Sequence, residues 1–136
     1  MMVGAKRRRP GAAGLAAVEL AIVIVALGLL LVVAVPAVAA IRERPLIGAL
    51  RANLLNLAAA QESHFYDYRA YAGDIEALRR AGFAPGSGVR VTIREATRAG
   101  WSATASHPGT RVQCFLFVRD AAPVGSATVA GAVHCS

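Results

Sequence analysis

The side chains that could do chemistry are few in this 136-residue chain, and they are scattered along it. Its three histidines, His64, His107 and His134, lack the spacing that would gather them with carboxylates or thiols around a metal ion. The glycine-rich residues 86–88 read as a turn, because they do not open a helix as a phosphate-binding loop does. We therefore predict no catalytic site, no metal and no cofactor.

One acidic residue, Glu19, stands near the start of an otherwise uncharged apolar stretch, residues 15–41. A helix of about 20 such residues spans the hydrocarbon layer of a membrane. A carboxylate in that layer costs about 2.5–3.5 kcal/mol at its centre and less near the interface, so it normally has a partner. Taken alone, Glu19 is either a functional charge or a side chain that reaches the lipid headgroups.

Composition and charge indicate that most of the chain lies on the far side of this membrane from the N-terminus. Hydrophobic residues make up 56% of the sequence, which excludes a disordered chain. The formal net charge is +7, and four of the positive charges lie in the basic run at residues 6–9. By the positive-inside rule this run keeps the N-terminus in the cytoplasm, so the residues after 41 are exported. The total charge therefore does not by itself predict nucleic-acid binding.

A cleaved signal peptide is the alternative for this N-terminal segment. It would share the basic start, the apolar stretch and a triplet of small residues, here Ala37, Val38 and Ala39. The apolar region of a signal peptide is usually about 7–15 residues long, whereas this stretch is longer and also contains Glu19. We therefore favour a retained helix.

Residues 14–20, with the sequence GLAAVEL, resemble the prepilin peptidase site of type IV pilins and type II secretion pseudopilins. The resemblance implies cleavage after Gly14, which removes a leader of residues 1–14 and makes Leu15 the new N-terminus. In this family the same peptidase also methylates that N-terminal amine. Glu19 then stands where the family carries its glutamate.

Two details depart from the family's commonest pattern. The mature chain most often begins with Phe followed by Thr, where this chain has Leu15 and Ala16. The leader is longer than the family's shortest leaders, so translation starts at either Met1 or Met2. Leucine is a tolerated variant at the first mature position, and processing is still expected.

The resemblance also implies how subunits assemble. The N-terminal helices form the filament core, where Glu19 pairs with the Leu15 amine of an adjacent subunit and so sets the subunit register. Gly28 and Pro36 stand at positions where glycine and proline are common in the family. Because proline removes a helix hydrogen bond and glycine lowers helix stability, we expect a kink or a melted turn within residues 32–36.

Past residue 41 the pattern predicts an exported globular domain, residues 42–136. After a polar collar, apolar side chains recur at helical spacing over residues 46–65. Alternating or β-rich runs predict three or four strands, at residues 89–94, 101–106, 112–118 and 129–135. The predicted fold class is α+β, with a long N-terminal helix packed on a three- or four-stranded antiparallel sheet, as in pilins.

The connection between helix and sheet, residues 66–88, is predicted to be variable and exposed. The aromatic residues near the end of the helix are instead predicted to pack between helix and sheet: Phe65, Tyr66, Tyr68 and Tyr71.

Cys114 and Cys135 are the only cysteines, and such a pair in an exported domain predicts a disulfide. The bridge would close a loop of about 22 residues, worth roughly 3 kcal/mol in the chain-entropy description. Type IV pilins commonly carry a C-terminal disulfide and many major pseudopilins lack one, so the pair favours the pilin subclass.

Two main classes of function follow. The first is a structural filament subunit, with no enzyme activity, that is inserted in the inner membrane and later becomes part of a periplasmic or extracellular filament. Its implied partners are copies of itself, other minor pilins, the prepilin peptidase, and the inner-membrane assembly platform with its ATPase. The alternatives within this class are a pseudopilin of type II secretion and a minor pilin.

The second class is a binding head that captures DNA or a surface. Arg90 and Arg94 share one face of a predicted strand, and Arg98, Arg111 and Arg119 could lie nearby. Such a stripe can contact phosphates, although it is more often a solvated sheet face. An exported enzyme anchored by one helix is a weaker alternative, because no polar catalytic constellation is evident.

Overall fold

The structure is a computed structural model that describes residues 12–136. The basic run at residues 6–9, most of the predicted leader and the two candidate start residues, Met1 and Met2, lie outside the described residues. The chain divides into two compact units between Ala40 and Ile41. We call the second unit, Ile41–Ser136, the head.

A single helix, α1 (Ala12–Tyr68), contributes residues to both units. It is helical throughout, including Gly28 and Pro36. The melted turn expected within residues 32–36 is therefore not found in this structure, because one missing hydrogen bond leaves the bonds of the neighbouring turns in place. Unwinding of this stretch in an assembled filament stays a prediction.

Within the head, α1 buries one face. Leu50, Leu54 and Leu57 are fully buried, and their spacing of about three to four residues places them in one stripe along the helix. Leu55 and Asn56, which lie between them in sequence, are exposed. The predicted amphipathic helix is therefore confirmed.

Four strands follow the helix in chain order. They are β1 (Arg90–Ala96), β2 (Gly100–Ser106), β3 (Cys114–Arg119) and β4 (His134–Cys135). Their order in the sheet is the same as in the chain, and all neighbours are antiparallel. The predicted α+β fold is confirmed, although the last strand is only two residues long.

The main core lies between α1 and the sheet. From β2 it includes Trp101, Ala103 and Ala105, each with no exposed surface. Leu116 of β3, which pairs with Ala103 of β2, extends the same layer. The residues buried on this face are every second residue of β2, which is the alternation from which the strand was predicted.

The opposite face of the sheet is also covered, which the sequence did not suggest. Phe117 packs there with Ala121 and Ala127, and Phe115 and Val124 border this second cluster. The covering residues come from the long segment between β3 and β4, which returns over the sheet instead of forming the longer strand predicted at 129–135. Consequently Ser102 and Thr104 of β2 are buried as well.

The predicted disulfide is confirmed. Cys114 and Cys135 lie opposite each other on β3 and β4 and are bonded. Backbone hydrogen bonds join Gln113 and Ser136 in both directions just beyond the bridge. The disulfide thus joins the strand before the segment that covers the outer face of the sheet to the strand after it.

Alanine at Gly125 should destabilise the head by about 1–3 kcal/mol more than alanine at Gly131 does. Gly125 has φ 54°, and a Cβ there would overlap the ring of Phe115. Gly131 is the matched control, because its φ is 79° but nothing lies within 4 Å of a Cβ built on it. Alanine at Gly131 meets only the conformational penalty of about 1 kcal/mol.

Thermal unfolding of both variants, followed by near-ultraviolet circular dichroism, tests this expectation. Equal losses for Gly125→Ala and Gly131→Ala would show that the contact with Phe115 is unimportant.

The connection between α1 and β1 is largely exposed, as predicted, but part of it is anchored in the core. It contains a short helix, α2 (Ile75–Arg79), whose first turn is capped by the Asp74 carboxylate at 2.8 Å from the Ala77 amide. Leu78 and Phe83 are buried in the main core. The apolar side chains of this connection therefore hold it on the head.

Two amide side chains of α1 fix the same connection. The Gln61 side chain, which is fully buried, donates to the Ala72 carbonyl at 2.9 Å and accepts from the Ala72 amide at 2.8 Å. The Asn53 side chain accepts from the Gly86 amide at 2.8 Å. Both contacts satisfy backbone groups that would otherwise be unpaired inside the protein.

Candidate functional site

The first unit exposes an unusually apolar surface. Its described large hydrophobic side chains are between 46% exposed, at Val38, and 72% exposed, at Val32. The helix over Ala16–Tyr68 is long and apolar enough to cross a membrane, and its most apolar window is entirely unburied. A surface of this kind requires lipid or other apolar helices to cover it.

Residues 14–20, which resemble the prepilin peptidase site, lie on this exposed part of α1. The two residues of the predicted scissile bond, Gly14 and Leu15, both lie in α1. A Cβ built on Gly14 would meet nothing within 4 Å. Glu19 is exposed and makes no ion pair within the described part of the chain.

The aromatic residues near the end of α1 divide into two pairs. Phe65 and Tyr71 stack with ring centroids 4.7 Å apart and pack against the core. Tyr66 and Tyr68 are instead 76% and 64% exposed, so the packing prediction is wrong for these two. Tyr66 points away because it lies about 100° around the helix from Phe65. Tyr68 is the last residue of α1, and its ring lies against that of His64, with centroids 4.5 Å apart.

Arg119 belongs to this aromatic cluster rather than to an arginine stripe. Its guanidinium lies 5.2 Å from the centroid of the Phe65 ring and 5.7 Å from that of Tyr71, and it is 3.8 Å from the Glu62 carboxylate. Burial raises the pKa of the Tyr71 hydroxyl, and the hydrogen bond to Glu62 raises it further, against an opposing effect of Arg119. The cluster fixes the end of α1 to the sheet.

The other predicted arginines are only partly gathered. Arg90 and Arg94 are exposed on β1 on the same side as Thr92, as predicted, but a bulge interrupts the strand between Ile93 and Glu95. Arg98 lies in the turn that follows β1. The structure thus does not bring the five arginines of the prediction into one stripe.

Arg111 instead joins Arg90 at a pocket of about 440 Å³ at one end of the sheet. His107 lines the same pocket, and its Nδ1 accepts a hydrogen bond from the Gly109 amide at 2.9 Å. Nδ1 is therefore an acceptor, so the neutral ring carries its proton on Nε2, which contacts Gly88 at the pocket wall. The proximity of Arg90 and Arg111 was predicted, but the pocket that they form with His107 was not; its lining comes from two segments, residues 88–90 and 106–113.

The remaining histidines make no constellation. His64 pairs through Nδ1 with the Ala70 carbonyl at 2.9 Å, and His134 is exposed on β4. Among residues 12–136 no cluster of histidine, cysteine and acidic side chains could hold a metal ion.

Comparison with models of known protein families gives no match, and neither does comparison with curated proteins.

Proposed function

We propose that this chain is the precursor of a structural filament subunit, a type IV pilin or a close relative. The observation that carries the proposal is the register of residues 14–20, in which Gly14, Leu15 and Glu19 match the prepilin processing motif. Gly28 and Pro36 fall at positions common in the same family when counted from the same N-terminus. The subunit performs no chemistry of its own.

The fold supports the proposal. A helix long enough to cross a membrane continues into a second half that packs on an antiparallel sheet. The disulfide between Cys114 and Cys135 lies at the C-terminus of the head, as in many pilins. An oxidising compartment is where such a bond persists, which agrees with a head on the periplasmic side.

The proposed pathway has three stages. The precursor first lies in the inner membrane as a single-pass protein with its N-terminus in the cytoplasm. The prepilin peptidase then cleaves after Gly14 and methylates the amine of Leu15. Finally the assembly platform and its ATPase move the subunit into a filament of identical or related subunits, where the helices cover one another's apolar surfaces.

Glu19 has a defined role in the last stage. In the filament core a carboxylate without a partner would be strongly unfavourable, and the free amine of Leu15 would be equally so. Pairing Glu19 of one subunit with the amine of the next resolves both charges. Because no described residue of the same chain pairs with Glu19, its carboxylate is free for this contact.

A minor pilin whose head binds DNA is the second candidate. The observation in its favour is the exposed pair Arg90 and Arg94 on one face of β1. Alanine at both positions should then weaken salt-sensitive DNA retention, and unchanged retention would remove this candidate. A type II secretion pseudopilin shares the processing motif, and the disulfide disfavours it without excluding it.

The N-terminus of the mature protein tests the proposal directly. Mass spectrometry of the membrane fraction and of sheared surface filaments should find a chain that begins with N-methylated Leu15. An abundant form in the filaments would indicate a major pilin. A mature chain that begins after Ala39 would identify a signal peptide and would overturn the proposal.

Leucine at Gly14 should block maturation, because the peptidase site of this family requires the small residue before the scissile bond. The unprocessed precursor should accumulate in the membrane and be visible by its larger mass. Gly11→Leu is the matched control within the predicted leader and should mature normally. Normal processing of Gly14→Leu would show that the scissile bond lies elsewhere.

A further inference from the structure

We propose that the pocket lined by Arg90, His107 and Arg111 binds the phosphate of an anionic phospholipid headgroup. The proposal rests on the membrane anchoring of the proposed function, but not on filament assembly. Its premises are the pocket itself, its position in the head and the distribution of charge around it.

The pocket offers several hydrogen-bond donors to an anion. Arg90 and Arg111 are exposed, and neither makes an ion pair within the described part of the chain. His107 lines the pocket beside them, and its Nδ1 accepts a hydrogen bond from the Gly109 amide. Arginine presents a planar fork of donors that matches phosphate oxygens, so two arginines at one cavity suit this ligand.

The pocket lies at the end of the head where the chain enters from the apolar segment. Its wall residue Thr110 donates a hydrogen bond to the Glu43 carboxylate at 2.6 Å, and a Cβ on the neighbouring Gly109 would lie 3.0 Å from Leu46. Glu43 and Leu46 are in the first turns after residue 41. With a rise of about 1.5 Å per residue, they lie within about 10 Å of the end of the apolar segment along the helix.

The charge of the head is concentrated at the same end. The segments 41–51, 88–90 and 107–113 contain a single acidic residue, Glu43, and five arginines, Arg42, Arg44, Arg51, Arg90 and Arg111. The rest of the head contains equal numbers of arginines and acidic residues. The end of the head away from the pocket contains the hydrogen bond from the Tyr71 amide to the Thr97 carbonyl and the Arg119–Glu62 ion pair.

A membrane surface fits this arrangement better than DNA does. The basic end is joined through the chain to a membrane anchor, and each arginine near an anionic lipid surface contributes to attraction. DNA would instead require phosphate contacts along an extended stripe, but the bulge in β1 and the pairing of Arg119 with Glu62 interrupt the predicted one. One concave pocket accommodates one phosphate group.

Native mass spectrometry of the purified full-length chain in neutral detergent tests the proposal. Phosphatidylglycerol and zwitterionic phosphatidylcholine are titrated separately. Both carry one phosphodiester, but the two arginines repel the choline cation, so we expect at least about tenfold tighter binding of phosphatidylglycerol. The double variant R90Q/R111Q should lose this preference. The control R94Q/R98Q removes the same charge from exposed positions away from the pocket and should keep it.

The remaining outcomes overturn the proposal. They are the absence of a phosphatidylglycerol preference in the unaltered chain, an equal loss in both double variants, and displacement of the lipid by inorganic phosphate at the same concentration. Binding of a short DNA duplex that depends on Arg90 and Arg111, without lipid binding, would also overturn it. The same spectra report the N-terminus of the chain, so failure of the anchor is distinguished from failure of the pocket.

Discussion

Replacing Glu19 by alanine should leave cleavage after Gly14 intact but lower the yield of filaments by at least about tenfold. The helix around Glu19 is uncovered in the isolated chain, so the substitution disturbs no packing there. In the assembled core it leaves the amine of Leu15 without its counter-charge. Removing one partner of a buried ion pair costs about 3–5 kcal/mol, which accounts for the expected loss.

Two further variants separate charge from shape. Glu19→Gln keeps the size of the side chain and removes its charge, so it should lose filaments as Glu19→Ala does. Val18→Ala shortens an apolar neighbour that is also exposed and should assemble normally. The measurement is the amount of sheared filament relative to mature subunit in the membrane. Wild-type yield from Glu19→Gln would show that the charge pair is dispensable.

Replacing Gln61 by leucine should destabilise the head by about 2–6 kcal/mol. Leucine fills a similar space but can pair with neither the amide nor the carbonyl of Ala72, and both groups are buried with it. Each buried backbone group left without a partner costs about 1–3 kcal/mol. The midpoint of thermal unfolding should therefore fall by at least about 10 °C.

Asn56→Leu is the matched control for this loss. Asn56 lies on the same helix but is exposed, so the same change from amide to leucine should shift stability by no more than about 0.5 kcal/mol. Hydrogen exchange at the Ala72 amide gives a local readout, because it should accelerate in Gln61→Leu alone. Equal unfolding midpoints for the two variants would contradict the assigned role of Gln61.

The elements of the head could be predicted because their patterns reflect burial on one face. Leu50, Leu54 and Leu57 follow the helical period, and Val91 and Ile93 alternate with exposed residues of β1. The pairing of Cys114 with Cys135 left no choice of connectivity, since the chain has no other cysteine. These predictions needed only local spacing or counting.

The features that were missed depend on contacts between distant segments. The second cluster around Phe117 forms because residues beyond β3 return over a sheet face that the local pattern gave no reason to cover. Gln61 looked like one more polar helix residue until the connection brought Ala72 beside it. Arg111 was expected near Arg90, but the pocket that they form with His107 was missed, because residues 88–90 and 106–113 meet only in the folded sheet.

The order of the strands has a consequence for how copies of this chain can meet. Within residues 12–136, β1 has only one strand neighbour, so its other side is an open edge of the sheet. Open edges invite pairing with another sheet, especially where chains are crowded in a membrane. Here the bulge after Ile93 makes that edge irregular, and the positive charges of Arg90 and Arg94 would repel those of a second β1 strand. Pairing of two copies through their β1 edges is thereby discouraged.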